Sequence, residues 1–139
     1  MDVQEQIKLN FEGVNIVKVD FESLTVPSVE TKVEVEIGVT PKVFYPESEP
    51  RRFKILMECN ASCESYFNLK VNAVGDFTIS RVIDEDLKTN FVNVNAPAIM
   101  FPLVRAFIMT LSANLGNSTP TIKVPPQMFS GLLSEVETV

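Results

Sequence analysis

The 139-residue chain contains no histidine and only five glycines. Without histidine there is no Ser-His-Asp triad, no His-ligated zinc and no imidazole general base. The five glycines form neither G-x-G-x-x-G nor G-x-x-x-x-G-K-[ST], so the dinucleotide and P-loop fingerprints are both missing. Chemistry driven by ATP is therefore not expected. Basic residues are also scarce, twelve against eighteen acids, for a formal net charge of −6. No basic cluster exceeds Arg51-Arg52, whereas nucleic-acid binders need a basic face to neutralise phosphate. Nucleic acid is excluded as the expected partner, and a basic or unfolded polypeptide is favoured electrostatically.

Cysteine is limited to Cys59 and Cys63, in the stretch CNASC. On an extended strand that spacing spans about 13 Å, beyond the roughly 7 Å that a disulfide bridges. Two reduced core thiols and a cytoplasmic location are expected, with no metal and no cofactor. Met1 to Gln6 carries two acids and no apolar run, so no signal peptide is read there. The longest apolar stretch, Ala96 to Leu115, is interrupted by Pro97, Pro102, Arg105 and Asn114. It makes a poor membrane span, and membrane insertion is not expected.

What remains is a chain that is 45% hydrophobic, with mean hydropathy +0.15 and a mass of 15.5 kDa. That suits a single domain covering residues 1–139. Strands are expected from about residue 5 to about residue 83. Ile7, Leu9 and Phe11 alternate with polar neighbours, as do Val17, Val19 and Phe21 after Gly13. Val33, Val35, Ile37 and Val39 form the cleanest alternation, followed by a loop from Thr40 to Arg51 holding three prolines. Phe53, Ile55, Met57 and Cys59 share one face of a third strand, and Phe67, Leu69, Val71 and Ala73 share one face of a fourth. One apolar and one polar face per strand imply an antiparallel sheet covered on one side.

The pattern changes near Asn95, which together with Pro97 suggests a helix over about 96–115. Met128, Phe129, Leu132, Leu133 and Val136 suggest a second helix over about 126–137. Strands first and helices last give an α+β fold in two layers. The first helix is apolar almost all round: fourteen of its twenty residues are Ala, Ile, Leu, Val, Met or Phe, and Arg105 is its only charge. A helix lying on a sheet needs only an apolar stripe. Its far side therefore needs another subunit, with Ile108 and Met109 as interface candidates. Phe44 and Tyr45, aromatics in the proline loop, are candidates for binding. The only carboxylate cluster, Asp84-Glu85-Asp86, reads as a hydrated turn and not as a catalytic pair, so no enzyme activity is expected.

The stretch NAPAIMFPLVRAFIMTLSANLG followed by STPTIKVPPQMFSGLL resembles the C-terminal half of the SecB export chaperones. Pro97, Ile99, Met100, Phe101, Pro102 and Arg105 match the family's proline-containing segment. Gly116 matches its turn, and Pro125 and Phe129 its strap and second helix. The resemblance implies a four-stranded antiparallel sheet with two helices on one face, in a homotetramer built from two dimers. It also implies a holdase for unfolded preproteins that hands them to the Sec motor ATPase. Carried over by position, the client-binding groove comprises Phe67, Val71, Leu103, Phe129 and Leu133. Glu22 matches the acidic motor-docking face, but Lys18 and Lys70 stand where that face carries acids. The alternatives are a SecB-like chaperone for another dedicated client, such as an antitoxin, or a purely structural oligomer.

Overall fold

The computed structural model describes residues 6–25, 34–116, 120–127 and 131–139. Four long strands come first: β1 (Leu9–Ser23), β2 (Glu36–Phe44), β3 (Arg52–Cys63) and β4 (Phe67–Ile79). They pair antiparallel in the order β1-β4-β3-β2. A short fifth strand, β5 (Ser134–Val136), joins the far edge parallel to β2. The fold is thus α+β with five strands, where four were expected.

Alternation explains the long strands. In β3 and β4 nearly every second side chain is buried, from Phe53 to Cys63 and from Phe67 to Ile79. Phe11, Phe77 and Phe53 occupy paired positions on three neighbouring strands, with ring centroids 5.2 and 5.3 Å apart. Both cysteines are buried and unpaired. The solvent face carries cross-strand ion pairs, Lys42–Glu58 at 2.5 Å and Lys54–Asp76 at 3.3 Å, which set register more than they add stability.

Two strand expectations change. The pairing of β1 with β4 shifts register between Phe11 and Gly13 and again between Ile16 and Lys18. Bulges insert one residue each and invert the alternation, so Val14 and Ile16 turn inward and Val17 is left 58% exposed. β2 also runs on through Pro41 to Phe44, where a loop was expected. An edge strand tolerates a proline that a central one would not. The expected strand position Val33 lies outside the described residues.

A single helix, α1 (Glu85–Ala113), crosses the apolar face of the sheet. It begins about ten residues earlier than expected. The Asp84 carboxylate accepts the Leu87 N–H at 2.8 Å, and Glu85 and Asp86 occupy the first turn. The acidic trio is therefore a helix cap with acids that suit the positive end of the helix dipole. Asn95 makes no side-chain cap. Instead Phe91–Asn95 forms a π turn, which widens the helix just before Pro97, a residue without an N–H to offer. By length and composition α1 could cross a membrane; one face of it, with Met100, Phe101, Val104 and Ile108, is buried in the chain's own core. Gly75 is the point of closest approach: a Cβ there would lie 2.7 Å from Met100 Sδ.

After α1 the chain folds back over the helix as an extended strap. Ile122 and Val124 are buried while Thr121 and Lys123 are exposed. The Ile122 N–H donates to Ser112 Oγ at 2.8 Å, and Arg105 Nε donates to the Val124 carbonyl. Further on, the Leu133 N–H donates to Asn93 Oδ1 at 2.6 Å. The second helix expected over 126–137 does not form among the described residues. Its apolar spacing is helical, but Gly131 has φ +93° and Ser134–Val136 extend along β2. One left-handed residue inside the segment breaks a right-handed helix, and the open edge of β2 offers its backbone partners instead.

Candidate functional site

The early part of α1 and the returning C-terminal segment enclose an open groove of about 720 Å³. Val94, Pro97, Ala98, Phe101 and Pro102 line it from the helix, and Pro126, Gln127, Gly131 and Leu132 from the opposite wall. Asp86, Thr89, Asn90 and Asn93 supply its polar end, where Asp86 is the only charged lining residue among the described residues. Part of its apolar lining is open to solvent, Val94 being 56% and Leu132 81% exposed, while Pro97 and Phe101 form a buried floor. Apolar side chains with a few polar groups at one end form a surface suited to an apolar segment with its backbone still polar.

Ile99, Leu103 and Ala106 lie on a different flank of α1, also exposed and outside the groove lining. The far side of α1 is therefore apolar over more than the groove. β1 pairs with β4 along one edge, and no described strand pairs with its other edge. Val19, on that strand, is 46% exposed.

The sequence-derived candidates are scattered. Phe67 and Val71 are buried in β4, with Phe67 beside Phe21 at 6.3 Å between ring centroids. Leu103 is exposed but on the other flank of α1, and Leu133 is half-buried with its N–H held by Asn93. None of these four lines the groove. Phe129 lies outside the described residues. Phe44 belongs to β2 and pairs with Lys54 and Val136. Tyr45 is pinned against the core, with Lys88 Nζ 4.7 Å from its ring centroid. Burial, then the nearby Glu135 and Glu85 carboxylates, raises the pKa of its phenol above the usual value. Of the interface candidates, Ile108 is buried in the chain's own core and has no surface to offer a second subunit, and Met109 is half-buried against that core. The groove residues missed by sequence reasoning, Val94 to Pro102, were visible only as excess apolarity of the helix.

On the opposite face of the sheet, Asp20, Glu22, Asn60, Ser62, Asn68 and Lys70 surround a polar hollow of about 390 Å³. Asp20 stands directly across from Lys70, and Lys18 across from Asn72. Glu22, Lys18 and Lys70 are all exposed, so the mixed charge expected of this face is presented to solvent. Beyond it, Glu34, Glu36 and Glu64 border a second hollow with Tyr66. Among the described residues no three Cys, Asp or Glu side chains converge to hold a metal ion. Burial pushes the Cys59 thiol up to about 12, the opposite of a reactive nucleophile.

Comparison with known proteins places this geometry. No family model matches the chain. It is 27% identical over 146 residues to an uncharacterized protein of Methanocaldococcus jannaschii, covering all of this chain and 91% of that one. It is 25% identical over 134 residues to the protein-export protein SecB of Orientia tsutsugamushi strain Boryong, covering 94% of this chain and 78% of the relative. Among solved structures, a Mycobacterium tuberculosis SecB-like chaperone in complex with a peptide from the HigA1 antitoxin superposes with a TM-score of 0.68. That match has 10% identity and covers 84% of this chain and 90% of that one. In sequence along most of its length, and in fold, the chain is SecB-like.

Proposed function

We propose that this protein is a cytoplasmic, ATP-independent chaperone that holds non-native polypeptides, with no enzymatic step and no cofactor. The observation that carries the reading is the open apolar groove between α1 and the C-terminal segment. An unfolded chain offers apolar side chains together with unpaired backbone. The groove meets the first with Val94, Pro102 and Leu132, and the second with the amides of Asn90 and Gln127. Each contact is weak, but a homotetramer, as a dimer of dimers, offers several grooves to one chain. Binding at linked sites then gains from effective concentration. Binding only the unfolded form withholds it from folding by mass action. The net charge of −6 and Asp86 at the groove's end favour apolar segments flanked by Lys or Arg.

Preproteins for Sec-dependent export are one client class, supported by the similarity to SecB along 94% of the chain. A dedicated client such as an antitoxin is the second, favoured by the antitoxin peptide on the structurally similar chaperone. It is favoured too by Lys18 and Lys70 on the sheet face, which weaken a motor-docking surface built of acids.

The test is refolding of a denatured basic protein with and without the chaperone. Substoichiometric chaperone should slow refolding, with no change on adding nucleotide. Ala98→Glu, which sets a charge in the groove at an exposed helix position, should lower client affinity at least tenfold while leaving the circular dichroism unchanged. Equal refolding rates across several clients, or an unchanged affinity in Ala98→Glu, would refute the groove reading.

A further inference from the structure

Two prolines interrupt the hydrogen-bond ladder of α1 where it forms the groove. Pro97 and Pro102 both line the groove, and Pro102 stands inside the helix. In an α-helix each carbonyl points along the axis and accepts the N–H four residues on. The donor due to Ala98 is therefore residue 102, and proline has no N–H to give. Ala98 and Pro102 are both exposed, and both line the groove. The Ala98 carbonyl is thus a backbone acceptor without its ladder donor, set at the groove surface. The case at Pro97 differs, because Pro97 is buried and the π turn at Phe91–Asn95 rearranges the ladder before it.

The polar side chains of the lining do not provide an equivalent acceptor. Asn93 is engaged at both ends of its amide: Oδ1 accepts the Leu133 N–H at 2.6 Å, and Nδ2 donates to the Thr89 carbonyl at 2.8 Å. Asp86 lies near the helix start, about 18 Å from Ala98 along the axis at about 1.5 Å per residue. Asn90 and Gln127 must each order a flexible side chain in order to bind. A main-chain carbonyl is already fixed by the helix and needs no such ordering. The ring of Pro102 is exposed at the groove and is not part of the buried core, while its presence inside a helix costs a ladder bond and a clash.

We propose that the Ala98 carbonyl is the acceptor through which the groove takes a backbone N–H from an extended segment of the client. The proposal rests on the groove reading above and adds how that site recognises main chain, whatever the client's sequence. A folded protein has its backbone N–H groups paired in its own ladders, so this acceptor discriminates non-native chains from native ones. In the free protein, solvent can supply the donor at this exposed position. Once apolar side chains cover the groove, the client's N–H replaces it in drier surroundings, where a hydrogen bond is stronger. A client proline at that register would be rejected, since it has no N–H to donate.

The test uses the full chain and reduced, carboxamidomethylated lysozyme, a permanently unfolded basic probe. Ala98-Ile99 is the only Ala-Ile pair in the sequence. Carbonyl-labelled alanine with nitrogen-labelled isoleucine therefore gives one magnetic-resonance signal that reports the Ala98 carbonyl alone. Adding probe should move that carbonyl carbon downfield, as accepting a hydrogen bond does. Two replacements then separate the missing N–H from the proline ring. Pro102→Ala supplies a donor to Ala98 and closes the ladder. Lactic acid at position 102, joined through an ester, carries the same methyl group and has no N–H. The alanine variant should bind the probe about fivefold more weakly than the lactic acid version, roughly 1 kcal/mol. Equal binding by the two would overturn the proposal. So would an Ala98 carbonyl that stays unmoved in a parent protein that binds the probe and loses it in Ala98→Glu, and that result leaves the groove reading standing. A parent protein that does not bind the probe at all overturns the groove reading and this proposal with it.

Discussion

Ser112 carries more of the fold than its small side chain suggests. It is the only buried polar residue among the described residues, fully enclosed, and it works in two directions. Its hydroxyl donates to the Met109 carbonyl at 3.1 Å and accepts the Ile122 N–H at 2.8 Å. Met109 O belongs to the helix ladder and loses little without that donor. The Ile122 N–H is different: the residue is buried, and no other partner among the described residues holds it. Ser112→Ala therefore strands a buried donor, which costs about 1–3 kcal/mol where an ordinary hydrogen bond contributes about 1. A mid-range loss of about 2 kcal/mol should lower Tm by roughly 8 °C for a chain of this size. Urea unfolding at one fixed protein concentration should show a lower midpoint with an unchanged slope, the signature of lost stability without a changed denatured state. Hydrogen exchange at Ile122 should accelerate more than at Val71. A midpoint within error of the parent protein would refute the reasoning, because it would mean that the Ile122 N–H finds water or another acceptor at no cost.

Light scattering at micromolar concentration should give about four times the chain mass, and Leu103→Asp, on the exposed flank of α1 outside the groove, should reduce it; a parent protein that scatters as a monomer removes the tetramer. Lys18→Asp with Lys70→Glu should strengthen binding to a Sec motor ATPase and leave client affinity within about threefold, roughly 0.6 kcal/mol; weaker motor binding by the double variant would show that the lysines belong to the docking site. The Cys59 thiol, pushed from an ordinary value of about 9 up to about 12 by burial, holds its proton more tightly folded than unfolded. Its contribution to stability is present below pH 9 and is lost as pH rises toward 12, so the urea midpoint should fall across that window and fall less in Cys59→Ala. A midpoint that falls equally in both proteins assigns the loss to other groups.

Several features were legible in the residues themselves. The alternation in Phe53–Cys63 and Phe67–Ile79 names the dry face of each central strand, and the structure buries that face. The all-round apolarity of Ala96–Leu115 correctly marks a helix with an apolar far side, since Ala98, Ile99 and Leu103 are exposed there. The proline-containing segment around Phe101 and Arg105 pointed to SecB, and both sequence and fold comparisons agree.

Other features needed the tertiary structure. The helix start was misplaced because Asn95-Pro97 and Asp84-Glu85-Asp86 both look like N-termini. A π turn lets the helix run through the first, while Asp84 caps the second. Leu132, Leu133 and Val136 have helical spacing, yet the open edge of β2 decides that Ser134–Val136 extend as a strand. Phe67 and Val71 are apolar side chains on a strand, but the sheet buries them, and the open groove lies between Val94–Pro102 and the returning chain. The physical reason is common to all three cases. Local periodicity records which side of a segment avoids water, because each residue contributes that preference by itself. What covers that side, and which backbone edge is left open for a later strand, depends on residues distant in sequence.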